Sequence, residues 1–267
     1  MKYAVIGKGF IYPRHVKAIE DTGGEIILTC DIDLDKNPDY TDWEYMFTTE
    51  KFKEVDTVVI FTPNYLHHPI TKKALEMGKK VLCEKPLSIN GTDGLEGVNT
   101  VLQLRYSPEV LKLKEERPNK LDIALKMKRG MDYWTGWKGN KEKSGGLIYN
   151  LGIHYVDLLV FLLGKPVEIL ETHGDNQRHF DFKVMFERGL GSLTIDAGEE
   201  LIPSRDLTAY TELNPEGRPI NLSNKENLSY EDLHKDVYKH FLNGEGIPLS
   251  EARKSLELVG NLCIFNG

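Results

Sequence analysis

Lys2-Tyr3-Ala4-Val5-Ile6-Gly7-Lys8-Gly9-Phe10-Ile11-Tyr12-Pro13 decides how this chain folds. Residues 2–6 form a short, nearly continuous apolar run, the kind buried inside a parallel sheet. Two glycines follow at once. Pro13 can then open a helix, because the first helical turn does not need its missing N–H. A strand, a Gly-x-Gly turn and a helix N-terminus, in that order, suit the phosphates of a dinucleotide. Gly7 allows the tight turn, Gly9 lets the backbone approach the pyrophosphate, and the helix N-terminus supplies donors and a partial positive charge. Gly-x-Gly also occurs as a plain turn, and Tyr12 stands where the pattern has its third glycine.

Working outward, further strands are expected at 26–30, 57–61, 80–83 and 100–105, with a helix over about 66–77. Strands alternating with helices predict a parallel sheet covered on both faces. After Pro118 and Asn119 the grammar changes. Segments 121–129, 166–173, 180–187, 190–197 and 205–211 read as strands in succession. One helix, about 151–163, interrupts them, and two more, about 230–243 and 251–265, close the chain. The sequence therefore predicts an α/β protein in two parts. Residues 1–119 are expected to form a parallel-sheet α/β domain, and residues 120–267 an α+β domain with a mostly antiparallel sheet. Between Pro86 and the fifth strand the stretch Leu87–Asn99 is short and holds Gly91, Gly94 and Gly97, leaving room for a turn or two.

Composition narrows the function classes. The chain has 267 residues, 40 % apolar and 28 % charged, which is ordinary for a globular protein. No apolar run approaches the roughly 20 residues a bilayer span needs, and Leu158–Leu163 fits a buried helix. The N-terminal run reaches its glycine turn too soon for a signal peptide. Cys30, Cys83 and Cys263 are scattered and odd in number, so neither a disulfide framework nor a metal site is expected, and a reducing cytoplasm is. A net charge of −7 argues against a nucleic-acid partner.

Four more motifs carry candidate chemistry. Asp31 ends the second strand 22 positions after Gly9, where a carboxylate accepts hydrogen bonds from the adenosine ribose and repels a 2′-phosphate. Its alternative is a cap on the turn Asp31-Ile32-Asp33. Thr62-Pro63-Asn64-Tyr65-Leu66-His67 follows the third strand, at the carboxyl end of the sheet where ligands bind. Alternatively it is a solvated turn with Asn64 capping the next helix. Glu84-Lys85-Pro86 follows the fourth strand, and Lys85 can donate to a substrate oxygen, or be half of an exposed pair. Finally, Asn150, His154 and Asp157 fall within about 60° of one face of a largely apolar helix. An amide, an imidazole and a carboxylate there need partners or a purpose. Asn150 alternatively caps the helix, and His154 is alternatively a satisfied core histidine.

In order, these motifs resemble the glucose–fructose oxidoreductase, inositol dehydrogenase and rhizopine-catabolism (Gfo/Idh/MocA) family. The hallmarks are Gly7-Lys8-Gly9, Thr62-Pro63-Asn64 with His67, Glu84-Lys85-Pro86 and Gly152-x-His154-x-x-Asp157. The resemblance covers nearly the whole chain. It implies that residues 1–119 are a Rossmann domain, with NAD as cofactor, bound by Gly7, Gly9, Phe10, Ile11, Asp31, Thr62, Pro63, Asn64, His67, Glu84 and Lys85. It also implies a homodimer or homotetramer formed through an open C-terminal sheet. Thr100–Arg105, Trp137-Lys138-Gly139-Asn140 and Lys143–Gly146 with Asn150–His154 look like the branch that oxidises the 3-hydroxyl of UDP-N-acetylglucosaminuronic acid for O-antigen sugars. In that branch Asn150 replaces the Asp of many relatives. His154 is then the base, its ordinary pKa of about 6.5 suiting the role, and Lys85 stabilises charge on the same oxygen. Gln103, Arg105, Lys138, Tyr149, Asn150 and His154 are the expected substrate contacts, with Arg129 a further candidate. A free-sugar or cyclitol dehydrogenase and a non-catalytic NAD-binding sensor or scaffold are the alternatives.

Overall fold

The structure, a computed structural model, describes residues 1–222 and 230–266. The chain divides into two compact units. One comprises Met1–Gln103 and Tyr230–Ala252, the other Leu104–Ser229 and Arg253–Gly267. This differs from a single boundary at 119/120. The first unit ends earlier and takes back a helix from late in the chain. That helix, Tyr230–Leu242, packs on helix Tyr12–Asp21 and buries Leu233, Val237, Tyr238 and Phe241.

The first unit is built on β1 (Lys2–Ile6), β2 (Glu25–Cys30), β3 (Thr57–Ile60), β4 (Lys80–Cys83) and β5 (Asn99–Thr100). The sheet runs β5-β4-β3-β1-β2, all parallel, with Ile247–Pro248 added antiparallel beyond β5. All four residues of β3 are buried, as expected for a central strand covered on both faces. The fifth strand is shorter than expected from 100–105. Val101 makes the last bond to β4, through the Cys83 carbonyl, and the chain then leaves the sheet in a tight turn at Gln103–Tyr106. Between Leu87 and Val98 there are only bends and turns, with Gly91, Gly94 and Gly97 all at positive φ.

The second unit holds β6 (Lys120–Lys128), β7 (Pro166–Gly174), β8 (His179–Phe186), β9 (Gly189–Gly198), β10 (Ser204–Thr211) and β11 (Asn214–Asn221). Their order is β11-β10-β6-β9-β8-β7, antiparallel throughout except β6 beside β9. Strand β11 was unexpected, because Pro215, Gly217 and Pro219 all weaken a strand; an edge position tolerates them. Alternation sets the faces. Phe180, Phe182, Val184 and Phe186 point inward from β8, and Leu193, Ile195 and Ala197 from β9. Helix Ile153–Leu163 covers that face, with nine of its eleven residues buried. Each fully buried Leu or Val there contributes about 1.5–3 kcal/mol. The stretch Lys141–Leu163 has the length and composition of a membrane span, but 78 % of its apolar window is buried in the fold.

Arg105 and Asp157 knit this core. Arg105 donates Nε–H to Asp157 Oδ2 at 2.8 Å and Nη2–H to Oδ1 at 2.7 Å, and Ser255 Oγ donates to Oδ1 at 2.8 Å. Both charged groups are buried. Removing one member of such a pair strands the other, at a cost of about 3–5 kcal/mol. Asp157→Ala is expected to lose that much unfolding free energy in a urea titration. A loss below about 1 kcal/mol, the range of an exposed pair, would mean that Arg105 escapes to water.

Candidate active site

The site elements of the first unit stand at the carboxyl ends of its parallel strands. Gly7 ends β1 at φ +96°, and a Cβ there would lie 2.8 Å from the Phe61 carbonyl carbon and oxygen. Only glycine lets the turn cross so close to the end of β3. A Cβ on Gly9 would meet nothing within 4 Å, so the loop is open on that side. Helix Tyr12–Asp21 starts after Ile11 with no side-chain cap; the Tyr12 and Arg14 N–H groups donate to the Gly9 and Ile11 carbonyls, and Pro13 has none to place. Asp31 both caps its own turn and ties the glycine loop down. It accepts from the N–H of Lys8 with Oδ2 and of Asp33 with Oδ1, and Lys36 Nζ lies 3.2 Å from both oxygens. Burial opposes its charge, but the Lys8 and Asp33 amides and the Lys36 ammonium outweigh that and lower its pKa. The carboxylate is ionised and held beside the glycine turn.

The next two loops are joined by His67. Its ring, fully buried, faces the Pro86 carbonyl with Nδ1 at 2.6 Å and the Thr62 carbonyl with Nε2 at 2.9 Å. The loop after β3 is thereby fastened to the Glu84-Lys85-Pro86 turn. Among the described residues, Thr62 Oγ1 is buried there with no hydrogen-bond partner, as is Gln103 Oε1 after β5. Buried orphan acceptors are costly and point to a bound polar group. Together with the open side of Gly9 they fit a dinucleotide. Asn64 is the first residue of helix Asn64–Glu76, and Pro63 takes the cap position. Lys85 is half-buried. Glu84, expected to touch the cofactor, instead turns its carboxylate inward to His15, with Oε1 2.9 Å from Nε2.

In the second unit a π-helical turn, Ile148–Gly152, precedes helix Ile153–Leu163. Insertions of this type recur at functional sites. The π turn also breaks the angular argument for a shared polar face. Asn150 is no cap: its Nδ2 donates to Tyr133 Oη at 2.6 Å. Asp157 faces Arg105, and only His154 remains half-exposed. Arg105 is correspondingly corrected from a substrate cation to a core one, since its bidentate partner is already Asp157. Lys138 keeps its candidacy. Burial and then the Arg129 charge lower its pKa, against a smaller upward pull from Asp132. Tyr149 lies over Gly145, its phenol pushed up to about 12 mainly by burial.

Sequence reasoning missed the aromatic platform beside Lys138. Arg178 stacks 4.4 Å from the Trp134 ring, Arg129 lies 5.3 Å from Tyr133, and Lys138 lies 5.8 Å from both Tyr133 and Trp137. Met131-Asp132-Tyr133-Trp134-Thr135-Gly136-Trp137-Lys138 carries the signal, aromatics beside a cation. Three cations among aromatic faces can hold an anionic group and a planar ring at once.

Known proteins resemble this chain in both of its units. Residues 1–104 match the model of an oxidoreductase family with an NAD-binding Rossmann fold, and residues 117–189 match the GFO/IDH/MocA C-terminal domain. The structure of the WlbA (WbpB) dehydrogenase from Thermus thermophilus, in complex with NAD and UDP-GlcNAcA, is 29 % identical with a TM-score of 0.83. The match covers 97 % of this chain and 93 % of that one. A 2,7-anhydro-N-acetylneuraminate hydratase from Mediterraneibacter gnavus is 27 % identical over 66 % of this chain and 53 % of its own length. An inositol 2-dehydrogenase from Salmonella typhimurium is 25 % identical over 66 % and 59 %. The chain spans about half the length of the curated relatives it matches.

His67 gives the first unit a pH dependence of known sign. Burial lowers its pKa most, and the two carbonyls only partly oppose this, so the folded state favours the neutral ring. The unfolded chain binds the proton more readily. Stability is therefore full above about pH 6.5, the ordinary histidine value, and is lost as pH falls below it. Urea midpoints taken from pH 8 to pH 5 should decline in the parent protein, and His67→Gln should remove part of that decline. An identical slope in the variant would show that His67 is not the group responsible.

Proposed function

The chain belongs to the Gfo/Idh/MocA oxidoreductase family, and we propose that it oxidises the 3-hydroxyl of UDP-N-acetylglucosaminuronic acid with NAD, in the cytoplasm, as a step toward surface-polysaccharide sugars. The observation that carries this reading is the likeness, over nearly its whole length, to the Thermus thermophilus dehydrogenase that holds both NAD and UDP-GlcNAcA. The platform of Tyr133, Trp134, Arg129, Lys138 and Arg178 supports it, because a uridine diphosphate presents a flat ring and two phosphates. Bound NAD supplies the hydride acceptor. The protein does the rest. His154 takes the hydroxyl proton while the C–H hydride leaves with its electron pair. Lys85 donates a hydrogen bond to the same oxygen and stabilises the charge that develops there. Gln103, Tyr149 and Asn150 supply neutral hydrogen bonds, and Lys138 and Arg129 face the anionic parts. The outer face of the second sheet, where His179, Asp181, Lys183, Thr194 and Asp196 are half-exposed, is the surface we assign to homodimer or homotetramer contacts.

Purified protein is expected to reduce NAD in the presence of UDP-N-acetylglucosaminuronic acid, and His154→Asn and Lys85→Ala should each lower turnover at least about 100-fold. Reduction with free sugars or inositol but not with UDP-sugars would replace this substrate with a cyclitol or free sugar. NAD binding without reduction on any sugar would leave a sensor.

Asp31 sets a second expectation. NAD should bind more tightly than NADP, and Asp31→Asn should narrow the gap by removing the charge that repels a 2′-phosphate. Isothermal titration of both dinucleotides decides this; equal affinities in the parent protein would place Asp31 away from the ribose.

A further inference from the structure

Glu84 follows β4 and leads into Lys85, yet its carboxylate points into the protein. Oε1 lies 2.9 Å from His15 Nε2, and Oε2 accepts the Lys85 backbone N–H at 3.2 Å. The other nitrogen of His15 lies 2.9 Å from Tyr238 Oη. His234, one turn before Tyr238, brings Nε2 to 4.0 Å from Glu84 Oε1 and sets its ring edge-on to His15 at 4.8 Å. His15, Tyr238 and His234 are fully buried, and Glu84 is 9 % exposed.

The charges in this cluster follow from its chemistry. Burial alone would push the Glu84 carboxyl up. The hydrogen bond and charge of His15, then Lys85 and His234, outweigh it and bring the pKa to about 2. An ionised carboxylate only accepts, so His15 points its Nε2 proton at Glu84 in either of its own charge states. Burial keeps the Tyr238 phenol protonated. The remaining titratable groups around the carboxylate are Tyr3, edge-on to Tyr238 at 6.1 Å, Cys83, which precedes Glu84, and His67 across the turn. A buried, fully partnered carboxylate with one oxygen on the next peptide N–H is built to hold that peptide still.

We propose that Glu84 is a positioning residue for Lys85: braced from behind by His15, Tyr238 and His234, it fixes the Lys85 main chain and keeps a negative charge behind it, and it does not contact the dinucleotide. This rests on the reading in which Lys85 meets the substrate oxygen. The bracing residues come from two distant helices, Tyr12–Asp21 and Tyr230–Leu242, so the geometry of one lysine depends on the packing of the whole first unit.

The test is the pH profile of Lys85 itself. The intact protein is treated with an amine-acylating ester across a pH series, and Lys85 labelling is quantified by peptide mass spectrometry. Glu84→Gln keeps the shape and removes the charge, so half-labelling should occur about one pH unit lower. Exposed lysines such as Lys51 should not move. Tyr238→Phe, which leaves Glu84 in place, should shift the profile the same way by less, and it carries the test if Glu84→Gln does not fold. In Glu84→Gln, kcat should fall about tenfold to a hundredfold while the Kd for NAD stays within about twofold. Unchanged Lys85 profiles overturn the proposal, as does a lost NAD affinity with kcat intact. The ligand atoms of His15, Glu84 and His234 all lie within 4.8 Å of one another. One equivalent of zinc in the purified protein, removed by chelator along with the Lys85 profile, would therefore make the cluster a metal site instead. If the parent protein reduces NAD with no sugar, the substrate reading fails while the labelling still decides the role of Glu84.

Discussion

The turn at Gly7 is the constraint on which the first unit rests. The chain leaves β1 and crosses so near the Phe61 carbonyl that no side chain fits. That one contact sets where the glycine loop runs and where helix Tyr12–Asp21 begins. It also sets where His15 lands, since His15 stands on the buried side of the same helix. The open glycine loop and the placing of His15 behind Glu84 are thus two outcomes of a single steric requirement. Asp31 reinforces it by holding the Lys8 amide from the end of the neighbouring strand.

Charge is handled differently in the two units. The first buries a carboxylate among imidazoles beside the turn that carries Lys85. The second buries a bidentate arginine–carboxylate pair under helix Ile153–Leu163, where the hydrogen bonds fix geometry more than they add stability. The cations at Arg129, Lys138 and Arg178 are instead spread over aromatic faces, where water and an anion still compete for them. An acidic chain can accept an acidic ligand this way, because the local field and not the net charge decides.

Much of this was legible in the sequence, and the failures have physical causes. Continuous apolar runs located β1, β3 and β4, and alternation located β6, β8 and β9. The run Val101-Leu102-Gln103-Leu104 misled because buried apolar residues need not be in a strand. Ile247–Pro248 and β11 were hidden by prolines that edge strands tolerate. The shared face of Asn150, His154 and Asp157 assumed α-helical spacing through a segment that is π-helical. Glu84 looked like a cofactor ligand because its partners are remote: His15 is 69 positions away, and Tyr238 is 223 positions from His15. No local pattern announces such a contact.

The return of helix Tyr230–Leu242 to the first unit has a consequence for synthesis on the ribosome. All five parallel strands have emerged by Thr100, but the hydroxyl that braces His15 belongs to Tyr238, 138 residues later than Thr100. At translation rates of about 5–20 residues per second, the early sheet waits on the order of ten seconds for its last helix. During that interval the unbraced face of helix Tyr12–Asp21, with the apolar surface that Val237 and Phe241 later cover, is open to solvent and to chaperones. The nucleotide-binding unit is opened by β1 and closed only after the strands of the second unit have been made.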